Sequence, residues 1–375
     1  MPGDSGRPRQ NNIAPVSASP ELVSSLKLGV AIDPMLVDKT AETARFLESC
    51  GYDSVWLSDE TLVFNSPPDL IVPELFPALT AIAAATRKVN IGTAVIDASI
   101  RHPAKTAQGV VTVDSFSGGR LKVGIGGGEA GNRDPFGIPL DHPFERMEET
   151  VKIMKLLFRA TYKEPVSFSG RFYSLKDAYL KIRPARAGGP PVIVSAFGPR
   201  ALRLAGELGD GWLSFGHTPE SFGKVLHGPV AAAARKAHRT LRGFETTLVI
   251  PIAVSKDKAK VNKVIAGIAK DWMVWSPDNM KLVVPDIEQP QVRQPYAKRN
   301  EPRAVKTLAN LSRQIPDEIA MRTAVGGSAE DCVEQLEGFA RAGLKQAILY
   351  IVAIDEPWKD SVRTISRKVL PGLRS

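Results

Sequence analysis

Short apolar runs rich in valine, isoleucine and glycine alternate with stretches of helical periodicity along most of the chain, and this alternation limits the possible architecture more than any other feature. Strand-like runs are read at residues 26–32, 54–57, 89–95, 121–126, 191–195, 211–215, 246–254 and 346–352. Helical patterning fills residues 35–50, 73–86, 103–116, 199–208, 219–241 and 328–342, and Met147, Val151, Met154, Leu157 and Phe158 form one apolar stripe after the fourth strand. Repeated β-then-α units imply a parallel sheet with right-handed crossovers. Eight such units close into a (β/α)8 TIM barrel, whereas five or six would leave an open, doubly wound sheet. The 375 residues suit a barrel with insertions.

Two segments exceed a bare barrel. Residues 165–191 hold two short runs, 166–168 and 171–173, which read as a hairpin around Ser169 and Gly170. Residues 276–325 carry six prolines and little periodicity. So long an irregular loop is either functional, as a wall or lid over the substrate end, or a surface excursion that merely packs. Residues 1–24, rich in Gly, Pro, Ser and Asn, read as a disordered tail, leaving 25–375 as a single barrel domain.

Composition removes several function classes. No apolar run reaches the roughly 18 residues needed to cross a bilayer, so no membrane span is expected. The two cysteines, Cys50 and Cys332, lie in helical stretches without a CxxC motif, which fits a reducing, cytoplasmic setting. The five histidines show no metal-ligand spacing, and no metal site is expected. His102 reads as a loop-ordering residue. The net charge of +9 is interleaved with acids, and the densest run, 298–303, reads as a solvated loop rather than a nucleic-acid surface. The positive excess also suits a small polyanionic ligand.

In such a barrel the chemistry lies at the carboxyl ends of the strands. Those ends present Asp33, the pair Asp59 and Glu60, the run Ala94 to Asp97, and the turn Gly126, Gly127, Gly128 leading to Glu129 and Asn132. A glycine turn lets backbone approach a flat ring, with the Glu129 carboxyl beside it and the Asn132 amide able to pair with ring heteroatoms. The alternative is that Glu129 and Asn132 cap the next turn. Ser195, Ala196, Phe197, Gly198, Pro199 and Arg200 end a strand and open a helix, where free backbone N–H groups at the dipole's positive end suit a phosphate and Arg200 can add a charged bond. Asp59 and Glu60 point differently as chain neighbours. One holds the ring or substrate while the other exchanges protons, or Asp59 caps a turn.

At these positions the sequence resembles the luciferase-like superfamily, the barrels that bind FMN or the deazaflavin coenzyme F420. The resemblance rests on residues 56–59, 91–95, 101–103, 123–132 with 135–138, and 196–211, the last being similar to the family's phosphate loop. The run 126–132 resembles the deazaflavin branch. This implies an F420-dependent oxidoreductase moving a hydride between the cofactor C5 and a ketone, alcohol or methylene-pterin carbon. It further implies Glu129 as proton partner and Asn132 as a ring contact; Glu60, whose carboxylate can also exchange protons, is the second choice for the proton. Ala94 and Val95 match a site where relatives keep a non-prolyl cis peptide under the ring. The alternative is an FMN-using monooxygenase, although the Trp and the Glu-Tyr or Glu-His pair common there are missing. Relatives usually carry Asp-His after the second strand, and Glu60 stands here in place of the His. A small-molecule substrate and a homodimer are also implied.

Overall fold

The computed structural model describes residues 26–32, 39–62, 71–139, 141–287 and 302–374. The expected N-terminal tail, Asp33 and residues 298–301 of the basic run lie outside them.

Eight parallel strands close on themselves: β1 (Lys27–Ala31), β2 (Ser54–Leu57), β3 (Asn90–Asp97), β4 (Leu121–Gly126), β7 (Val192–Ser195), β8 (Gly211–Phe215), β9 (Glu245–Val254) and β11 (Gln346–Ile351). Closure comes from β11 pairing with β1 and from β9 pairing with both β8 and β11. Helices between strands form the outer layer, among them α1 (Thr40–Ser49), α2 (Leu75–Ala85), α3 (Pro103–Ser117), α4 (Pro143–Arg159) and α5 (Pro199–Leu208). This is the (β/α)8 barrel expected from the alternation.

Small residues make the barrel interior possible. Trp56 is fully buried within it, beside Ile193, Leu213 and Ile348. Its indole N–H donates to Ser54 Oγ at 2.7 Å. The room for it comes from Gly29 and Gly92 on the flanking strands: a Cβ on Gly29 would stand 2.6 Å from the indole nitrogen, and one on Gly92 would overlap the six-membered ring. Interiors are close-packed, so the large ring and the two missing side chains are one arrangement.

The hairpin between β4 and β7 differs from expectation in register. Its strands are β5 (Val166–Ser169) and β6 (Ser174–Ala178), so the second strand starts after 173. The reason is Glu149 on α4, whose carboxylate accepts the backbone N–H groups of Arg171, Phe172 and Tyr173 at 2.7, 3.1 and 3.0 Å. Those donors are unavailable to a ladder.

The helix expected over 219–241 is broken into α6 (Pro219–Val225), a π-helical turn (Leu226–Val230) and α7 (Ala231–Lys236). Pro229 supplies no N–H and crowds the preceding turn. Between β9 and β11 the chain is more ordered than expected. An 18-residue helix, α8 (Lys258–Trp275), follows β9 where no element was expected. The proline-rich stretch 276–325 contains α9 (Pro277–Val283), α10 (Pro302–Gln314) and α11 (Asp317–Met321). A three-residue strand, β10 (Val325–Gly327), adds to the end of β9 outside the barrel. Then come α12 (Ala329–Arg341), β11, α13 (Trp358–Lys368) and a last short helix, α14 (Leu370–Arg374). Val261, Ile265, Ala266, Ala269 and Met273 on α8 build a second apolar cluster with Leu311 and Ile315. That cluster fixes the C-terminal end of α8 over the barrel mouth.

Candidate active site

The carboxyl ends of the barrel strands open into a cavity of about 590 Å3, within the range of roughly 300–1,000 Å3 usual for small-ligand sites. Asp59, Glu60, Ala94, Val95, Gly126, Gly127, Gly128, Glu129, Asn132, Ser195, Phe197 and Gly198 all line it. Residues from four different strand ends thus share one space.

The floor has two backbone features. The Ala94–Val95 peptide is cis, as the resemblance implied, and the β3–β4 register shifts between Thr93 and Ile96. Beside it, Gly126 and Gly128 admit no side chain. A Cβ on Gly126 would lie 2.7 Å from Val95 Cγ2, and Gly128 has φ of 77° with a Cβ position that collides with the Asp97 carboxylate. Asp97 in turn holds Arg133, whose Nε donates to Oδ2 at 2.9 Å and whose second nitrogen pairs with Oδ1. Arg133 is 0% exposed and also donates to the Gly127 carbonyl at 3.0 Å, so one buried ion pair fixes the glycine turn. Burial pushes the Asp97 carboxyl up, against the opposing pull of the Arg133 guanidinium.

Asp59 and Glu60 diverge. Both Asp59 oxygens are engaged by Arg101, at 2.5 and 3.0 Å, and Oδ2 also accepts the Asp97 N–H at 3.1 Å. Burial works against the Arg101 charge, but Asp59 and Glu74 outweigh it and hold that group above its usual value. Glu60 instead accepts a side-chain N–H of Asn132. The Asn132 oxygen receives the Thr61 and Leu62 N–H groups at 2.9 and 2.8 Å. The carboxamide expected to meet a ring therefore also organises the segment after β2. His102 caps α3, its Nδ1 accepting the Ala104 N–H at 3.2 Å.

Across the cavity, Gly198 stands at the N-cap of α5 and gives it no side-chain cap. Its first turn leaves backbone donors pointing out of the helix, because Pro199 lacks one and the N–H bonds start at Leu202 to Gly198. Ala196, Pro199 and Arg200 do not line the cavity. Ala196 is fully buried with its carbonyl accepting the Trp212 indole N–H at 2.9 Å. Arg200 pairs with Glu145 at 2.8 Å and stacks over Phe144 at the surface. The expected charged partner for a phosphate is thus turned to another acid.

The fourth side of the cavity is built partly by residues 276–325, for which a wall over the substrate end was one of two expectations, and partly by α8, where no element was expected. Trp272 and Trp275 from α8 and Asp278 from α9 line it, with Phe215 and Tyr350 from β8 and β11. Sequence signals were present in the two tryptophans at the end of an amphipathic helix, but their destination depends on how α8 crosses the barrel. Behind this wall lies a buried polar network. His217 contacts Ser221 and Ser214 hydroxyls at 3.0 and 3.1 Å, and Asn279 donates to Ser214 at 3.1 Å and to the Phe215 carbonyl at 2.7 Å. Burial pushes the His217 ring down to about 3. No group of metal-ligating side chains was found among the described residues.

The family model described as luciferase-like monooxygenase matches residues 22–346. The chain belongs to that family. Within the luciferase-like group, it is 26% identical over 350 residues to a 5,10-methylenetetrahydromethanopterin reductase of Archaeoglobus fulgidus, covering 93% of this chain and 100% of the relative. It is 27% identical over 333 residues to an F420-dependent glucose-6-phosphate dehydrogenase of Beutenbergia cavernae, covering 88% of this chain and 91% of the relative. Among solved structures, an F420-dependent secondary alcohol dehydrogenase in complex with an F420-acetone adduct superposes with a TM-score of 0.75 at 23% identity, over 93% of this chain and 99% of that one. At this identity the superposition establishes the fold: a luciferase-like barrel.

Proposed function

We propose that the protein is an F420-dependent oxidoreductase that interconverts a ketone or methylene-type carbon with its reduced form. One observation carries the reading: the turn of Ser195, Phe197 and Gly198 and the carboxylates of Glu129 and Glu60 line the same cavity. Curated relatives named as F420-dependent dehydrogenases and as a methylenetetrahydromethanopterin reductase support the cofactor.

The residues fit the group. Gly126 and Gly128 carry no side chain and lie beside the Ala94 and Val95 stretch, which leaves the floor low on the glycine side, as a flat ring needs. The uncapped first turn of α5 offers N–H donors and dipole to a phosphate, with the Asp278 carboxylate beside Gly198 opposing them. When bound, the deazaflavin supplies a two-electron hydride donor or acceptor at C5. Oxidation of an alcohol releases a hydroxyl proton, and Glu129 is assigned to take it, as it is to return it in the reductive direction. Glu60, fixed by Asn132, is the second proton partner. Asp59 has both oxygens tied to Arg101 and serves orientation rather than proton exchange. A homodimer and a cytoplasmic setting belong to the same reading; both cysteines are free thiols, and no helix among the described residues is long and apolar enough to cross a membrane.

The test is anaerobic turnover of purified protein with oxidised F420 and alcohols, or reduced F420 and ketones, followed by deazaflavin absorbance. Glu129→Gln is expected to lower kcat by about 10²–10⁴-fold, the usual worth of a positioned acid or base. Absent F420 turnover together with oxygen consumption driven by reduced FMN would replace this reading by the monooxygenase alternative.

A further inference from the structure

Four rings form an unbroken edge-to-face series across the cavity mouth. Phe197 and Phe215 stand 4.9 Å apart, Phe215 and Trp272 5.9 Å, and Trp272 and Tyr350 5.3 Å, each pair steeply inclined. All four are half-buried and line the cavity, so their remaining surface faces the ligand space. They come from the turn after β7, from β8, from α8 and from β11, which means the wall is assembled by the fold rather than by one local motif.

The charged groups around this wall are of one sign. Asp59, Asp97, Glu60, Glu129 and Asp278 line the cavity, and no Lys, Arg or His does among the described residues. The two arginines that bind cavity carboxylates are already used: Arg101 forks onto Asp59 and Arg133 onto Asp97. Asp278 stands against Gly198, its Oδ2 2.8 Å from where a Cβ would be. Arg101 and Arg133 neutralise Asp59 and Asp97, and the donors at the start of α5 are assigned to the cofactor phosphate, so a phosphorylated or carboxylated substrate at this wall would meet Glu60, Glu129 and Asp278 with no described cation to compensate it. An apolar flank would instead bury against the rings, with aromatic groups gaining most.

We propose that the substrate side of this cavity selects an uncharged alcohol or ketone whose carbon bears an apolar, preferably aromatic, flank, and rejects phosphorylated sugars. The inference rests on the F420 reading above and narrows its substrate class. It separates this chain from the relatives named as glucose-6-phosphate dehydrogenases, despite their similarity along most of its length.

The experiment uses the full-length protein and begins with an F420 titration. It then compares 1-phenylethanol, 2-propanol and glucose 6-phosphate as reductants of bound F420. The expected order is 1-phenylethanol first, with kcat/KM roughly 100-fold or more above that for glucose 6-phosphate. Trp272→Ala should raise KM for 1-phenylethanol about 10-fold, Trp272→Phe should recover most of the loss, and F420 titration verifies that each variant is folded. Intrinsic tryptophan fluorescence should respond to 1-phenylethanol and not to glucose 6-phosphate. Glucose 6-phosphate turned over as well as the apolar alcohol, no reductant accepted while F420 binds, or a Trp272→Ala variant with unchanged KM would each overturn the inference and leave the cofactor assignment standing. Failure to bind F420 at all would remove the functional reading, and this inference with it.

Discussion

Asn132 donates a side-chain N–H to the Glu60 carboxylate, while its oxygen accepts the Thr61 and Leu62 backbone donors. One carboxamide from the turn after β4 thereby sets both a cavity carboxylate and the chain leaving β2. Asn132→Leu keeps the volume and removes all three bonds. It is expected to cost about 1–3 kcal/mol in urea unfolding, because two backbone donors and a carboxylate lose their partner. It should also lower kcat/KM for F420 turnover. Unchanged stability and turnover would mean that Asn132 organises nothing.

Arg133 is fully buried and its charge is balanced by Asp97. Asp97→Ala strands a guanidinium in the interior, for which the expected loss is about 3–5 kcal/mol. The same change frees the Gly126–Gly128 turn, so F420 affinity should fall together with stability. Calorimetric unfolding and an F420 titration on one preparation measure both.

Trp56 and Gly92 fill the barrel centre as a matched pair. Gly92→Ala should destabilise by about 1–3 kcal/mol through overpacking. In a Trp56→Phe background the same change should cost clearly less, since the smaller ring vacates the space. A double-mutant cycle by urea unfolding gives the coupling, and an equal penalty in both backgrounds would show that the two sites do not share that space.

His217 is held neutral by burial, with a folded-state value of about 3 against about 6.5 for a free imidazole. The folded value is the lower one, so the stabilisation is complete above pH ~6.5 and is lost as pH falls toward the folded value. The contribution is at most about 1.4 kcal/mol per pH unit. His217→Gln, which keeps polar atoms for Ser214 and Ser221 without gaining charge, should flatten that part of the stability profile between pH 4 and 6.5. Parallel profiles for the two proteins would contradict the assignment.

The barrel itself was legible because every one of its eight strands is an apolar run, and because turn residues such as Gly51 and Pro103 separate strand from helix. The candidate site was legible where it is made of consecutive residues at one strand end, as at Gly126 to Glu129. It was not legible where it depends on packing. Trp272 and Trp275 reach the cavity because the second apolar cluster orients α8, a relationship no local pattern encodes. Arg200 followed the local rule for a helix start, yet an acid on the neighbouring helix α4, Glu145, claims its guanidinium. The hairpin register failed for a similar reason: Glu149, 22 residues before Arg171, takes the donors of Arg171 to Tyr173. β10 is three residues long and holds two glycines, too little to register as a strand. The proline-rich 276–325 stretch hid helices because Pro277, Pro302 and Pro316 mark helix starts there rather than loop interior.

The most direct test is equilibrium titration of the purified protein with coenzyme F420 and, separately, with FMN, read by ligand fluorescence. Saturable binding of F420, much tighter than FMN and weakened by Gly128→Ala, is the result predicted for a ring lying on the glycine turn. Tight FMN binding with no measurable F420 binding would contradict it.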